Sequence, residues 1–504
     1  MPGDVPIGVG IDLLAELDPA AVALICPDRT VRRADLAAES NQAAREFAAL
    51  GVTQGSMVTI GLANGAAFYI AVVAAWKLGA IPQPVSAKLP VAELAAIVEL
   101  ADSALVVGLE TAGRPWLPAR WTPDASLPAD PLPPAVPPSW KAPTSGGSTG
   151  RPKIIVAGNA GWLASVTGRA ERLRIGGEGD VFAVTAPLYH NAPFMFSLIA
   201  LLRGCTLLVL DRFDGASVLA AVTRHRVTWL YAVPTLMGRI LRLPAEERAA
   251  ADLSSVRTLL HVGAPCPEPV KRAWIAWLGP DRVVELYAGT ESQAVCMIDG
   301  TEWLAHPGSV GRPMSGEMRI VDDDGRPLPP GEVGEIWMRH PPDAQPYRYI
   351  GATAHARDGW ESIGDMGHMD ADGYVYLADR RADLILVGGS NVYPAEVEAA
   401  LAEHPHVLSS CVVGLPDDDL GARVHAIVEL DAPVPDEELR AHLRARLTGN
   451  KVPASYERVD TPLRDDTGKI RRSALRAERI SGMADGEQVV GSGERAVGGR
   501  TPTP

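Results

Sequence analysis

The densest group of residues that could do chemistry lies near position 150. Three glycines, four hydroxyl residues and one lysine fall within Pro143-Thr144-Ser145-Gly146-Gly147-Ser148-Thr149-Gly150-Arg151-Pro152-Lys153. Glycine lets the backbone approach a ligand closely, successive N–H groups form an anion-binding concavity, and lysine adds a mobile positive charge. The combination predicts a loop that holds phosphate oxygens, with contacts from Ser145, Gly147, Ser148, Thr149, Gly150 and Lys153.

This loop differs from the P-loop of NTPases, in which glycine, lysine and a hydroxyl residue are consecutive. Here Arg151 and Pro152 separate Gly150 from Lys153. Because proline lacks an N–H and resists helix, we expect the loop to enter a strand over residues 153–156. Taken alone, the motif also fits a flexible surface loop.

Four further motifs follow in a fixed order. They are Leu286-Tyr287-Ala288-Gly289-Thr290-Glu291, Ile363-Gly364-Asp365, the segment 379–398, and Thr467-Gly468-Lys469-Ile470-Arg471. Together with the loop, they make the chain from about Leu14 to Arg476 resemble the adenylate-forming superfamily. That superfamily includes acyl-CoA synthetases, firefly luciferase and the adenylation domains of nonribosomal peptide synthetases. Five motifs in register over more than half of the chain make the resemblance specific.

The resemblance implies an acid–CoA ligase that works in two steps. A carboxylic acid reacts with ATP to give an acyl-adenylate and pyrophosphate, and the thiol of CoA then attacks the mixed anhydride. ATP, Mg²⁺ and coenzyme A are the implied cofactors. Segments 187–194 and 302–311 are similar to those of bacterial ligases for bulky hydrophobic acids, including bile-acid and steroid side-chain CoA ligases. A role in lipid, fatty acid or steroid metabolism would follow.

Four catalytic assignments come from the resemblance. Thr290 would contact a phosphate oxygen, and Glu291 would bind Mg²⁺, which takes one or two carboxylates beside phosphates and waters. Lys469 would bridge the substrate carboxylate and the α-phosphate and lower their repulsion. His190 stands where related synthetases carry an aromatic gate to the carboxylate pocket. The alternatives are a solvated carboxylate, a surface lysine and a structural histidine.

The nucleotide and CoA contacts are assigned in the same way. Asp365 would accept both ribose hydroxyls, and Arg380 would donate to the same sugar. Gly263-Ala264-Pro265 resembles the segment against adenine, and Tyr287 the aromatic on its other side. Gly388-Gly389 would line the pantetheine tunnel. Outside this context, an aspartate in a turn and a core tyrosine are ordinary structural residues.

Four positions depart from the family pattern. Gly146 stands where serine is common, and Ala382 replaces a charged hinge residue. Hinges absorb backbone rotation and need no particular side chain, so a swing of the C-terminal domain is still expected. Ala288-Gly289 replaces a bulkier Gly-Met pair, which predicts room for a bulky acyl group.

The elements that must position these residues alternate between helix and strand. Helical spacing over 35–50 and 66–78 ends at a glycine each time. Short apolar runs fit buried strands at 57–62, 104–107, 181–184, 206–210, 227–232, 258–262 and 283–287. Strands separated by helices imply parallel sheets covered on both faces. The predicted class is α/β, with doubly wound sheets in a large N-terminal domain.

The pattern changes twice further along the chain. Strand–turn–strand signals from residue 318 to 377 predict a β-rich subdomain, and mixed signals from 394 to 447 predict a smaller α+β domain. We place an N-terminal adenylate-forming domain at 1–380, a mobile C-terminal domain at 381–480 and a Gly-rich disordered tail at 481–504. The proline-rich segment 115–143 is predicted to be a surface linker.

Composition narrows the class of protein. With 504 residues, the chain exceeds one ordinary core, and a net charge of −14 argues against a nucleic-acid partner. Lys77 and Arg203 interrupt the longest apolar runs, so no transmembrane helix is predicted. The N-terminus lacks a signal pattern, and five scattered cysteines indicate a reduced, cytoplasmic protein.

Two other functions stay open. The adenylate could pass to a carrier-protein thiol, although we see no carrier segment and no aspartate over 187–193 for an amino-acid amine. A protein that senses ATP without turnover is the second alternative, and the joint presence of Thr290, Glu291 and Lys469 counts against it. The expected partner is a small carboxylic acid, and a homodimer is left open.

Overall fold

The computed structural model describes residues 5–146, 152–211, 213–388, 390–417, 420–465 and 468–491. The chain forms two compact units. The first contains the described residues of Met1–Ile363, Gly367–Leu377 and Asp466–Gly468, and the second those of Gly364–Met366, Ala378–Asp465 and Lys469–Pro504.

The helices of the described ranges are α1 Ile7–Leu17, α2 Arg33–Ala49, α3 Ala66–Lys77, α4 Val91–Ala101, α5 Leu163–Thr167, α6 Asn191–Leu202, α7 Gly215–His225, α8 Pro234–Leu241, α9 Ala245–Ala250, α10 Glu268–Leu278, α11 Gly300–Ala305, α12 Pro394–Ala402, α13 Asp436–Arg444 and α14 Arg472–Gly491. The strands of the first half are β1 Val22–Ile25, β2 Thr30–Arg32, β3 Met57–Ile60, β4 Ile81–Pro84, β5 Leu105–Val107, β6 Trp116–Leu117, β7 Thr144–Gly146, β8 Pro152–Val156, β9 Val181–Val184, β10 Thr206–Val209, β11 Trp229–Ala232 and β12 Thr258–His261. Those that follow are β13 Val283–Ala288, β14 Val295–Asp299, β15 Arg312–Ser315, β16 Glu317–Val321, β17 Gly334–Arg339, β18 Arg348–Ile350, β19 His355–Arg357, β20 Trp360–Ser362, β21 Asp365–Met369, β22 Val375–Arg380, β23 Ile385–Val387, β24 Ser390–Val392, β25 Val407–Asp417, β26 Gly421–Leu430 and β27 Ser455–Arg458.

The largest sheet has nine strands in the order β15-β14-β13-β12-β11-β9-β10-β1-β2. The strands from β13 to β1 in this order are mutually parallel. The central strands β11 and β12 are buried along their whole length, because helices cover both faces of a parallel sheet. The segments after β9, β12 and β13 therefore all begin at the carboxyl ends of the parallel strands, where ligands of α/β proteins bind.

A second parallel sheet, β4-β3-β5-β6, follows from the predicted runs near residues 57 and 104. Helix α3 is almost entirely apolar and buried. Its one charge, Lys77, donates to Asp12 at 2.6 Å and to Asn41 at 2.5 Å. Burial lowers the pKa of Lys77, and the Asp12 charge opposes this effect.

The β-rich part contains the sheet β19-β20-β17-β21-β22, with β16 paired to β17. A separate three-stranded sheet, β18-β8-β7, contains the strand that was predicted to follow the glycine-rich loop. That strand is β8, and it pairs antiparallel with both neighbours.

The second unit has a core of its own, which includes Val397, Leu401, Val412, Leu439 and Leu443. Strands β25 and β26 form a long antiparallel hairpin, and β27 pairs parallel to β26. Helix α14 continues to Gly491, past the start of the predicted disordered tail, because Ala, Met, Glu and Gln favour helix there. The predicted α/β class with its β-rich part and small α+β domain is confirmed.

Two residue types have distinctive locations. All eleven tryptophans fall between residues 76 and 360, within the first unit. The five cysteines are unpaired, and only Cys266 is more than slightly exposed. Burial raises the pKa of Cys26, Cys205 and Cys296 to about 12 and that of Cys411 to about 11.

Among the helices of the described ranges, none has both the length and the apolar character to cross a bilayer.

Candidate functional site

Lys153, Glu291 and Tyr349 meet in the first unit. Lys153 Nζ donates to Glu291 Oε1 at 3.1 Å and to Tyr349 Oη at 2.9 Å. The Tyr349 hydroxyl donates to the same carboxylate oxygen. The register of β18 and β8 explains why Tyr349 and Lys153 are close, because Tyr349 pairs with Ile155, two residues beyond Lys153. The fold thus joins two predicted site residues that are 138 positions apart in sequence.

The Glu291 side chain is 6% exposed, whereas that of Lys153 is 22% exposed. Burial and the hydrogen bond to Glu291 raise the pKa of Tyr349, so this hydroxyl keeps its proton and acts as a donor. The Lys153 ammonium also lies 4.2 Å from the centroid of the Tyr349 ring. One carboxylate oxygen is therefore occupied by two donors.

The other oxygen of Glu291 lies close to Gly289. A Cβ at Gly289 would lie 3.0 Å from Glu291 Oε2, 3.1 Å from Ile363 Cδ1 and 3.3 Å from Gln293 Oε1. Any side chain at this position would press against the carboxylate and its neighbours. Across the described ranges, no group of three His, Cys, Asp or Glu side chains could hold a metal. A single carboxylate fits Mg²⁺, which binds mainly through phosphates and waters.

The phosphate loop itself lies largely outside the described residues. This applies to Gly147, Ser148, Thr149 and Gly150, and also to Gly389 of the predicted CoA contact. Ser145 is described: it is on β7, directly opposite Lys153 in the register of β7 and β8. The described start of the loop is therefore beside the cluster of Lys153 and Glu291.

The predicted adenine contacts lie at the carboxyl ends of the parallel strands of the large sheet. Gly263-Ala264-Pro265 follows β12, and Tyr287 is near the end of β13, the parallel neighbour of β12. Gly263 has a φ of +95°, and a Cβ added there would have no atom within 4 Å, so it is the backbone angle that suits glycine to this turn. Thr290 is half-buried just after β13.

His190 directly precedes α6, on the side of the sheet where the parallel strands have their carboxyl ends. It follows β9 by a short turn, and its ring lies against Tyr189, with 4.0 Å between centroids. His190, Thr290 and the predicted adenine segment thus all lie beyond the carboxyl ends of parallel strands in one sheet.

The second unit carries the remaining predicted residues. Asp365 and Arg380 form an ion pair at 3.3 Å, in which Asp365 is 12% exposed and Arg380 is 65% exposed. Gly364 adopts a φ of +85°, and its carbonyl accepts from the Arg381 N–H at 2.8 Å. This turn places the carboxylate beside the guanidinium. Gly388, at the predicted CoA contact, has a φ of +53°.

Lys469 is largely exposed as a residue, and its backbone N–H donates to Asp465 at 3.0 Å. Its amine is nonetheless partly desolvated: desolvation, then the charge of Arg380, lower the pKa of Lys469. The lowering indicates that Lys469 and Arg380 act on each other electrostatically.

Arg472, which we did not predict, anchors the segment that carries Lys469. Its guanidinium lies 2.8 Å from Glu398, 3.2 Å from Asp383 and 3.5 Å from Asp379. Tyr349 was also missed. A tyrosine in a polar strand carries no recognisable signal, whereas the position of Arg472 three residues after Lys469 was a usable one.

The comparisons with known proteins agree over nearly the whole chain. The family model for the AMP-binding enzyme matches residues 14–347, and that for the AMP-binding enzyme C-terminal domain matches residues 396–469. A feruloyl-CoA synthase of Amycolatopsis sp is 33% identical, covering 92% of this chain and 96% of that protein. A fatty acid–[acyl-carrier-protein] ligase of Streptomyces coeruleorubidus is 30% identical, covering 92% and 94%. The o-succinylbenzoate CoA synthetase of Bacillus subtilis, solved with its acyl-adenylate intermediate, has a TM-score of 0.78 and 28% identity, covering 94% and 98%.

Proposed function

The chain belongs to the family of AMP-binding enzymes, and from this premise we propose that it is an ATP-dependent acid–CoA ligase. A carboxylate oxygen of the acid attacks the α-phosphorus of ATP, and the bond to pyrophosphate breaks. The CoA thiol then loses its proton and attacks the acyl carbonyl, and AMP leaves. ATP, Mg²⁺ and coenzyme A are the required cofactors.

The observation that carries the proposal is the contact between Lys153 and Glu291 at 3.1 Å. A cation after a glycine-rich loop and a buried carboxylate suit two partners of one nucleotide, the phosphates and their Mg²⁺. Mg²⁺ would neutralise phosphate charge, with Glu291 as its protein ligand. Lys153 and Thr290 would bind phosphate oxygens, as would Ser145, Gly147, Ser148, Thr149 and Gly150.

The other assignments complete the proposed site. Asp365 and Arg380 would bind the ribose, and Tyr287 with Gly263-Ala264-Pro265 would enclose adenine. Lys469 would neutralise charge between the attacking carboxylate and the α-phosphate. His190 would border the acid, and Gly388 and Gly389 would border the pantetheine arm. We further propose a cytoplasmic location, because the cysteines are unpaired and thiols stay reduced in that compartment.

One relative favours a second candidate. The Streptomyces ligase named above acts on an acyl carrier protein, so a carrier-protein thiol could replace CoA as the acceptor. The adenylation step and its residues would be the same.

Pyrophosphate release distinguishes these functions. We expect release with an acid drawn from a panel of aryl, steroid-type and aliphatic acids, and thioester formation only when CoA is added. Thioester formation with a pantetheinylated carrier protein and none with CoA would support the second candidate. A protein that binds ATP but releases no pyrophosphate with any acid in the panel would contradict both.

A further inference from the structure

Lys141 and Arg169 are two enclosed cations with no carboxylate contact in the described ranges of the chain. Lys141 is 4% exposed and donates to the side-chain oxygen of Asn191. Its ammonium also lies 5.3 Å from the centroid of the Trp140 ring. Arg169 is half-buried, and its Nη1 lies 4.0 Å from Met195 Sδ. The contacts that the described ranges show for both charges are therefore to neutral groups.

Three other cations with little exposure in the described ranges are paired directly. Lys77 contacts Asp12 at 2.6 Å, Arg472 contacts Glu398 at 2.8 Å, and Lys271 contacts Glu285. Direct pairing is expected, because an isolated charge is costly to remove from water. Buried Lys141 and half-buried Arg169 show no such carboxylate contact in the described ranges, so both are available to an anion that is not part of the chain.

The two cations lie along one face of α6. Asn191 and Met195 are four residues apart, so their side chains are neighbours on the helix surface. The cations also act on each other: burial, then the Arg169 charge, lower the pKa of Lys141 to about 7, and the charge of Glu291 opposes this effect. Asn191 directly follows His190, the residue assigned to the border of the acid. The cations are therefore close to where the acid is proposed to bind.

We propose that Lys141 and Arg169 form a subsite for a second oxyanionic group, a carboxylate or sulfonate, on the acid substrate. The proposal rests on the ligase function and narrows it to acids that carry two anionic groups. One group reacts with ATP, and the other binds between the cations. Guanidinium suits a planar oxyanion because it can donate two parallel hydrogen bonds.

The test compares matched acids and matched variants. Aliphatic and aryl dicarboxylic acids are assayed beside their monomethyl esters, and the readout is the ratio of the two kcat/KM values for pyrophosphate release. We expect the wild-type enzyme to prefer at least one diacid. In Lys141→Met and in Arg169→Met, the ratio should fall by about tenfold or more, the loss expected for one charge-assisted hydrogen bond. Lys88→Met, an exposed lysine, is the matched control and should keep the ratio.

Calorimetry without ATP gives a second readout. Since an anion raises the pKa of a neighbouring amine, binding of the preferred diacid at pH 8 should take up protons, seen as a dependence of heat on the buffer. Lys141→Met should abolish this uptake while remaining folded by circular dichroism.

Three results would overturn the subsite. The first is a wild-type enzyme that prefers no diacid over its monoester. The second is a variant whose kcat/KM falls equally for diacids and monoesters. The third is a variant that binds inorganic pyrophosphate more weakly but binds the diacid as the wild type does. Failure of the ligase function would look different, because calorimetry would still detect diacid binding while no acid released pyrophosphate.

Discussion

At the scale of single residues, Glu291 is the carboxylate to which both Lys153 and Tyr349 donate in the first unit. One of its carboxylate oxygens accepts from Lys153 and Tyr349, while the other lies close to Gly289. The two oxygens of this buried carboxylate therefore have different surroundings. This asymmetry suits a carboxylate that binds a cation only when a nucleotide arrives with it.

Lys469 is expected to act in adenylation alone. Lys469→Ala should slow acyl-adenylate formation by roughly 10²–10³-fold, the scale of one oriented charge contact. Supplied acyl-adenylate should still react with CoA at a near-normal rate, because that step has no phosphoryl transfer. Arg471→Ala, an exposed neighbour, is the control. Equal loss of both half-reactions would show that Lys469 has another role.

Lys141 should make stability depend on pH. Its pKa falls from 10.5 to about 7 in the folded state, so between these values the unfolded chain holds more protons and stability rises with pH. The cost of the buried charge is therefore largest below pH 7. Lys141→Met should stabilise the protein more at pH 6 than at pH 9, by about 2–3 kcal/mol. Denaturant unfolding at both pH values measures this, and an equal gain at both would contradict it.

The sequence predicts roles for these residues, which stay predictions, but it does not predict their contacts. Lys153 and Glu291 were identified through motifs, but nothing in either motif indicates that they touch. Their contact depends on the pairing of β8 with β18 and on the position of β13, which are long-range features. Lys141 was missed because a single lysine before a loop is indistinguishable from a surface lysine.

At the scale of elements, the end of β13 controls the space around Glu291. Gly289→Met would place Cβ within 3.0 Å of Glu291 Oε2 and force the carboxylate or its neighbours to move. We expect lower kcat/KM for short and bulky acids alike, together with a higher Mg²⁺ requirement. Gly449→Met, where no atom lies within 4 Å of an added Cβ, is the control. Selective loss of bulky acids would instead favour the acyl-pocket role suggested by sequence.

Arg472 should hold the start of α14 in place. Arg472→Met would leave Asp379, Asp383 and Glu398 without their shared cation. Breaking a buried ion pair costs about 3–5 kcal/mol, so the second unit should unfold at lower denaturant. Adenylation should fall as well, because Lys469 is three residues away. Arg472→Lys should recover part of the stability. A variant with wild-type stability would show that the three acids need no partner.

Periodicity identified the elements that are buried on one or both faces. The strands β9 to β13 coincide closely with the predicted apolar runs, since short runs between turn residues have few alternative structures. The hairpin of β25 and β26 extends as far as the pair of Asp417 and Gly421, although both residue types have poor strand propensity. Tertiary pairing outweighs local preference at that end.

At the scale of the whole molecule, two separate cores predict two unfolding events. Leu439 is fully buried in the second core, and Leu439→Ala should cost about 2–5 kcal/mol. Circular dichroism should then show an earlier transition, while tryptophan emission, which arises only from the first unit, should keep its midpoint. Leu260→Ala, fully buried in the first core, should shift the emission instead. If Leu439→Ala moved both signals together, the units would unfold as one.

The buried thiols give this chain a use in spectroscopy. Maleimide reagents attack the thiolate, and burial keeps four of the five native cysteines protonated and shielded. Leu17→Cys in the first unit and Leu386→Cys in the second introduce thiols at positions that are 74% and 56% exposed. A donor and an acceptor dye attached there would report by energy transfer how far apart the two units are as ATP, acid and CoA are added in turn. The four buried native cysteines could stay in place during such a measurement, whereas the partly exposed Cys266 would be replaced by serine.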